Sequence, residues 1–348
     1  MNCVAAYQEL GIRTLGDAVL NHRCASKQDH DGIWNVFGSD TKPGKVAWDA
    51  SAICSDDRHY RGRGRRGTGD LFNAAPNIDH SQDIVQRDIA EWLNWLRDEV
   101  GYDGWRFDYV RGFDGVFAKN YIESSEAEFA VGEFWDALSY SGMDGAPDHN
   151  QDAHRQRIID WVNKTEGKCS AFDVTTKGIL HAAVERCEYW RLCDAKGQPP
   201  GMVGWWPSRS VTFIENHDTG STQAHWVFPR GKELEGYCYV LTHPGTPAIF
   251  WDHAFMWGDR YYAAMQRLVS ARQKVGVHCR SSVKILVADR TVYAAEIGGH
   301  DGRIRMKMGP GHFDGGGEGW EMITGDGDWA VWWKLGYEGD DDDVEDVE

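Results

Sequence analysis

The sequence predicts an α/β fold. It reads as a (β/α)8 TIM barrel lacking its first two strands, with an irregular excursion domain after barrel strand 3 and a C-terminal antiparallel β domain. Three observations predict it. Helical and buried-strand segments alternate from Val4 to Lys274, as parallel strands joined by crossover helices do. Residues 24–80 interrupt that alternation with no sustained period, over a length that plain loops rarely reach. From Cys279 onward short alternating strands follow one another without helices, the mark of an antiparallel sheet.

In chain order, Val4–Leu10 suits a helix stopped by Gly11, and Arg13–Leu20 a strand ending in Asn21, His22 and Arg23. The irregular stretch follows. Its basic run (Arg61, Arg63, Arg65, Arg66) reads as a solvated loop, because Asp56, Asp57 and Asp70 lie beside it. Asp83–Val100 places Ile84, Val85, Ile89, Trp92, Leu93, Leu96 and Val100 at helical spacing, and Gly101 ends it. Asp103–Val110, DGWRFDYV, then reads as a short buried strand. A helix near Val116–Ser124 leads to a strand over Glu128–Trp135. A stretch with Ile158, Ile159, Trp161 and Val162 leads to Ser170–Val174, and a helix over Lys177–Trp190 to Ser210–Asn216. Gly231–Leu241 precedes Thr246–Trp251 and a last helix near Asp259–Lys274. Six strands mean either an open doubly wound sheet or a barrel without its first two strands. The abrupt opening at MNCVAAYQEL favours the barrel and an N-terminal truncation. The expected division is 1–23 with 81–278 as barrel, 24–80 as excursion, 279–336 as β domain and 337–348 as an acidic disordered tail.

Composition narrows the partners. The chain holds 17 Trp, 13 Tyr and 13 Phe, enough to fill a core and leave rings for stacking on sugar faces. Net charge is −17, and with eight excess acids in the tail the remaining body still carries −9. That body repels nucleic acid and anionic membrane, and no apolar run approaches a membrane span. The expected state is a monomer. Eight scattered cysteines without metal spacing read as buried free thiols.

Chemistry collects at four strand ends. They carry Asn21 and His22, then Arg106 and Asp108, then Glu133, then Asn216, His217 and Asp218. A buried arginine and a buried carboxylate two residues apart favour pairing, since a lone buried charge costs several kcal/mol. In parallel barrels the C-terminal strand ends form the active face, so Asp108, Glu133 and Asp218 are expected there. Three carboxylates suit either a divalent metal or cleavage of a glycosidic bond. Arg106 would compete with a metal and suits an ionised nucleophile. Glu133 sits among Ala130, Val131, Phe134 and Trp135, apolar surroundings that suit a general acid. Glycoside hydrolysis is the better account.

The blocks DAVLNHR (17–23), GWRFDYV (104–110), VGEFWD (131–136) and FIENHD (213–218) resemble the four ordered blocks of the α-amylase clan of retaining glycosidases. AFDVTTKGIL, GWWPSRSVTFIENHDTGSTQ and LTHPGTPAIF resemble its plant and green-algal members, and residues 77–113 their plastidial branch. The resemblance implies an endo-acting α-amylase that cuts α-1,4 links of starch or another α-glucan. It implies Asp108 as nucleophile, Glu133 as general acid/base and Asp218 as transition-state stabiliser. Arg106, His22, His217, Trp135 and Arg111 would contact substrate or hold the catalytic groups. Trp205 and Trp206 match a paired-tryptophan surface site. Alternatives are an inactive glucan-binding remnant and a transglycosylase or branch-point enzyme of the clan.

Family members bind calcium between excursion and barrel, which points here to Asn21, Asp70, Asn77 and Gly112. Secreted relatives carry Asp-Thr-Gly-Ala-Asp-Phe and Pro-Asp-Ile-Asp where this chain has Gly67–Phe72 and Pro76–Asp79. Fewer carboxylates imply one weakened calcium site. The plastidial likeness implies a chloroplast location, with cytoplasm or secretion as alternatives, and a redox role for Cys24 against a plain thiol.

Overall fold

The computed structural model describes residues 3–38 and 47–336. The acidic tail lies outside the described residues, as do residues 39–46 of the excursion. The chain divides into two compact units, the first running to Asp136 and resuming over Arg157–Phe172, the second comprising Ala137–Gln156 and Asp173 onward.

The first unit opens with α1 (Cys3–Glu9) and β1 (Leu15–Ala18), followed by β2 (Lys27–Gln28) and β3 (Trp34–Val36) in the excursion. It continues with α2 (Asp83–Trp95), β4 (Gly104–Phe107), α3 (Gly115–Ser124) and β5 (Phe129–Gly132). The second half of α4 (Asp152–Lys164) and β6 (Ser170–Phe172) complete it. β1, β4, β5 and β6 pair side by side, all parallel. α2 forms where expected because Val85, Ile89 and Leu93 make one buried stripe, and Asp83 lies in its first turn, where the helix dipole favours an anion. The chain leaves it through a wide turn, Leu96–Val100, capped by Gly101 at φ +96°.

The strands are shorter than the sequence suggested, and that is what exposes the chemistry. β4 buries Trp105 and Phe107 and stops, after which Tyr109 turns left-handed at φ 45° into the short turn Val110–Gly112. β5 stops at Gly132, where a Cβ would come 2.6 Å from the Trp161 ring. Asp108 and Glu133 therefore stand one residue past two paired strands. The excursion has little regular structure but its own buried centre, with Ile53 bridged to Ile78 and Phe37 to Trp48. Its basic run is internally paired: Arg61 with Asp31 at 2.6 Å, Arg63 with Asp49 at 3.5 Å and Arg66 with Asp56 at 3.6 Å.

The second unit contains α5 (Val174–Arg186), β7 (Ser210–Thr212), α6 (Glu233–Thr242), β8 (Thr246–Pro247), α7 (Trp251–Phe255) and α8 (Asp259–Val275). Then come β9 (Val283–Ala288), β10 (Tyr293–Gly298), β11 (Gly302–Met308), β12 (Glu321–Asp326) and β13 (Trp329–Leu335). β7 and β8 are parallel, and the last five strands form an antiparallel sheet in the order β12-β13-β11-β10-β9. This sheet is the expected C-terminal antiparallel β domain. Its apolar face (Tyr293, Ala295, Ile297, Ile304, Met306) shares one core with Tyr237 and Leu241 of α6 and with Leu268 and Ala271 of α8. All eight cysteines are free; only Cys54, Cys169 and Cys238 are buried, and Cys3 and Cys24 are exposed.

Two buried histidines set an acid limit. His80 donates from Nε2 to the Leu20 carbonyl at 3.1 Å and accepts the Tyr121 hydroxyl at Nδ1, 2.7 Å away. Burial lowers its pKa from 6.5 to about 4 and that of His243 to about 3. Both stabilise the fold fully above pH 6.5, and that contribution is lost as pH falls toward 4, because the unfolded chain binds the protons first. For His80 the loss is on the order of 3 kcal/mol. Melting temperature should therefore drop on acidification from about pH 7 to 4.5, and His80→Gln, which keeps a donor and an acceptor, should flatten the drop. An unchanged acid limb in that variant would contradict this assignment.

Candidate active site

One guanidinium organises the first unit's strand ends. Register places Asp17 of β1 directly beside Arg106 of β4, and Asp108, two residues on, shares the face of Arg106. Arg106 Nη1 lies 2.9 Å from Asp17 Oδ1 and 2.6 Å from Asp108 Oδ1, and Nη2 lies 2.8 Å from Glu133 Oε1. Burial works against the charge on Arg106, but Glu133, Asp17 and Asp108 together outweigh it and hold its pKa above the ordinary value. The backbone reinforces the cluster: Glu133 N–H donates to the Phe107 carbonyl at 2.9 Å, and Asp108 N–H to Ala18 at 3.1 Å. The expected Arg106–Asp108 pair is present, but as one arm of a three-carboxylate cluster. Glu133 is thus not in purely apolar surroundings.

His22 stacks on Phe72 with centroids 4.0 Å apart and meets Tyr109 edge-on. Burial lowers its pKa, an effect that the Asp108 charge partly opposes. A neutral imidazole beside Asp108 can donate to a hydroxyl from one nitrogen and accept at the other. Arg111 departs from its expected role. Its Nε meets Asp70 Oδ2 at 2.5 Å, and its Nη1 meets the Trp135 carbonyl at 3.1 Å and Asp136 Oδ1 at 3.0 Å. It ties the excursion to the end of β5, and the half-buried Trp135 takes part through its backbone.

In the second unit, Asp218 and His217 follow β7. His217 Nε2 lies 3.5 Å from Asp218 Oδ2, and Gln223 donates to Asp218 Oδ1. Sequence reasoning missed the support beneath them. Glu215, 3% exposed, accepts the Phe228 N–H at 2.5 Å, and its Oε2 lies 3.0 Å from His253 Nε2. Tyr237 accepts the Phe250 N–H at 3.1 Å and so gives its own proton to His253 Nδ1, 2.8 Å away, leaving the Nε2 proton to face Glu215. Trp205 and Trp206 lie between the short turns Met202–Gly204 and Pro207–Arg209. Trp205 is exposed, and the Arg155 guanidinium sits 3.6 Å from its ring centroid, a cation–π contact. Asp173 anchors this loop by accepting Met202 and Val203 N–H at 3.1 and 2.8 Å.

The four residues expected to hold calcium are neighbours, but their donors do not fit the ion. Asn21 Nδ2 reaches Asn77 Oδ1 at 3.2 Å, and a Cβ on Gly112 would come 2.0 Å from Asn21 Oδ1. The Asp70 carboxylate is paired with Arg111, and Asn77 Oδ1 also accepts the Phe72 N–H at 2.7 Å. Calcium takes six to eight oxygens and gains from charge. Among the described residues no group of three or more His, Cys, Asp or Glu side chains is arranged to hold a metal.

Carboxylates standing past the C-terminal ends of parallel strands define the active face of a barrel-type enzyme fold. Similarity to known proteins makes the class specific. Residues 274–333 match the alpha-amylase C-terminal beta-sheet domain. The chain is 56% identical over 331 residues to chloroplastic alpha-amylase 3 of Arabidopsis thaliana, covering 94% of this chain and 36% of that protein. It is 46% identical over 323 residues to probable alpha-amylase 2 of the same plant, covering 93% and 75%. A cyclomaltodextrin glucanotransferase structure of three-domain ABC distribution superposes with TM-score 0.65 at 17% identity, over 96% of this chain and 78% of that one. The chain belongs to the α-amylase family, and it spans about a third of the length of its chloroplastic relative.

The loop after β7 holds a buried carboxylate, Glu215, and a partly exposed one, Asp218. Glu215→Ala should destabilise the protein by about 1–3 kcal/mol or more by leaving the buried Phe228 N–H without its acceptor. Asp218→Asn, at a partly exposed side chain, should stay within about 1 kcal/mol. Urea unfolding of both variants checks this; equal losses would mean that Asp218 is structural too.

Proposed function

We propose that the chain hydrolyses internal α-1,4-glucosidic bonds of starch and related glucans, as the catalytic part of an α-amylase of the plastidial plant type. One observation carries this reading: a single guanidinium, 12% exposed, holds two carboxylates that stand one residue past adjacent parallel strands. Retaining glycosidases work with two carboxyls about 5–5.5 Å apart. Two side chains bound to opposite nitrogens of one planar fork suit that spacing.

Asp108, fixed by Arg106, attacks the anomeric carbon while Glu133 gives its proton to the departing glycosidic oxygen. The products are a covalent glucosyl-enzyme and a free chain end. Water, deprotonated by Glu133, then attacks the same carbon and releases Asp108, so the α configuration is retained. Glu133 takes the acid's part as the more buried of the two carboxyls, its side chain 9% exposed against 23% for Asp108. His22, beside Asp108, binds a hydroxyl of the sugar being cleaved; the family blocks imply a stabilising role for Asp218 and hydroxyl binding for His217. The 56% identical chloroplastic relative supports a plastid location, which fractionation of the native protein tests.

The experiment is release of reducing ends from soluble starch. Glu133→Gln and Asp108→Asn should each lower kcat by about 10²–10⁴-fold, with KM moved far less. Arg106→Lys, which keeps the charge but loses the planar fork, should lower kcat without abolishing starch binding. Equal release by wild type and Glu133→Gln would overturn the assignment.

A further inference from the structure

Asn77 sits 3% exposed in the segment bridged to the end of β1 through His22. Its side-chain nitrogen faces three oxygens: Asp57 Oδ2 at 2.7 Å, the Phe72 carbonyl at 2.9 Å and the Ala75 carbonyl at 3.4 Å. Its side-chain oxygen faces two donors, Phe72 N–H at 2.7 Å and Asn21 Nδ2 at 3.2 Å. The two sets of partners fix the amide orientation, since a flipped amide would set N–H against N–H and oxygen against oxygen. The backbone N–H of Asn77 gives Asp57 Oδ2 a further bond at 2.9 Å.

A carboxylate and two carbonyls converging on one buried point are the donors that a hard divalent cation selects. Here a nitrogen covalently tethered to the chain occupies that point. We infer that the Asn77 amide takes the place of a divalent cation, closing the junction between the excursion and the end of β1 without calcium. The other carboxylate at this junction fits the same design, because Asp70 is neutralised by Arg111 rather than left for a metal. An aspartate at position 77 would set two carboxylates against each other across the same short distance. They would then need a cation or a proton between them.

Calcium alone is the probe, added to the full chain after EDTA treatment and followed by calorimetry and thermal melting. Asn77→Asp should bind one more calcium per chain than wild type. Its melting temperature should fall in EDTA and rise again by about 5–10 °C once calcium reaches about 100 times its Kd. Asp57→Asn should bind as much calcium as wild type. The inference is overturned if Asp57→Asn loses a calcium that wild type holds, or if Asn77→Asp gains none. The Asp57→Asn comparison decides the matter even where Asn77→Asp fails to fold.

Discussion

Arg106 is the constraint on which the first unit's strand ends depend. Its side chain is 12% exposed and meets three carboxylates from three parallel strands or their ends. Such a cluster is not a source of net stability, since desolvating the ions offsets most of their attraction. What it supplies is position. A planar fork can bond several oxygens at fixed angles, whereas an ammonium holds them as a point charge and lets them rotate. The strand register sets Asp17 opposite Arg106, and the early ends of β4 and β5 release Asp108 and Glu133 from the ladder. Backbone geometry and the guanidinium therefore specify the same arrangement from two directions. Three carboxylates on one cation make the local field negative.

The second unit solves a related problem with different means. Asp218 is partly exposed, so its own contacts do little to hold its loop rigid. The holding falls to Glu215, three residues earlier and buried, through Phe228, His253 and, behind them, Tyr237. A chain of buried contacts from Phe228 through Glu215 and His253 to Tyr237 leaves the loop few alternative arrangements. Separating the exposed carboxylate from the anchoring one lets a short loop be both accessible and ordered.

Much of this was legible in the sequence, and the reason is locality. α2 declares itself through period and its glycine stop, and β4 through its apolar residues. The strand-end positions of Asp108, Glu133 and Asp218 follow from where those apolar runs end. What was not legible depends on contacts distant in the chain. Asp17 matters because its partner lies 89 residues away, and no spacing reveals a parallel register. Arg111 meets Asp70 and Asp136, partners that no spacing places beside it. The paired tryptophans lie between the tight turns Met202–Gly204 and Pro207–Arg209, which the family blocks do not reveal. The C-terminal sheet is legible in its locally complete strands, but the residues of α6 and α8 that cover its apolar face are not.

The junction at Asn77 shows how one atom changes the physics of a site. A calcium ion would neutralise Asp57 but would hold the loop only while its concentration exceeds its Kd. An amide nitrogen on the chain holds the same oxygens at every calcium concentration, with no binding equilibrium and no translational entropy to lose. Its weakness is electrostatic. It brings no full charge, so the buried Asp57 carboxylate depends on hydrogen bonds from Asn77 N and Nδ2 for its solvation. Removing either would leave the charge under-solvated, a loss of about 1–3 kcal/mol or more. The exchange of a cation for an amide therefore trades strength for constancy. It also makes Asn77, rather than any carboxylate, the residue whose replacement would let a metal in.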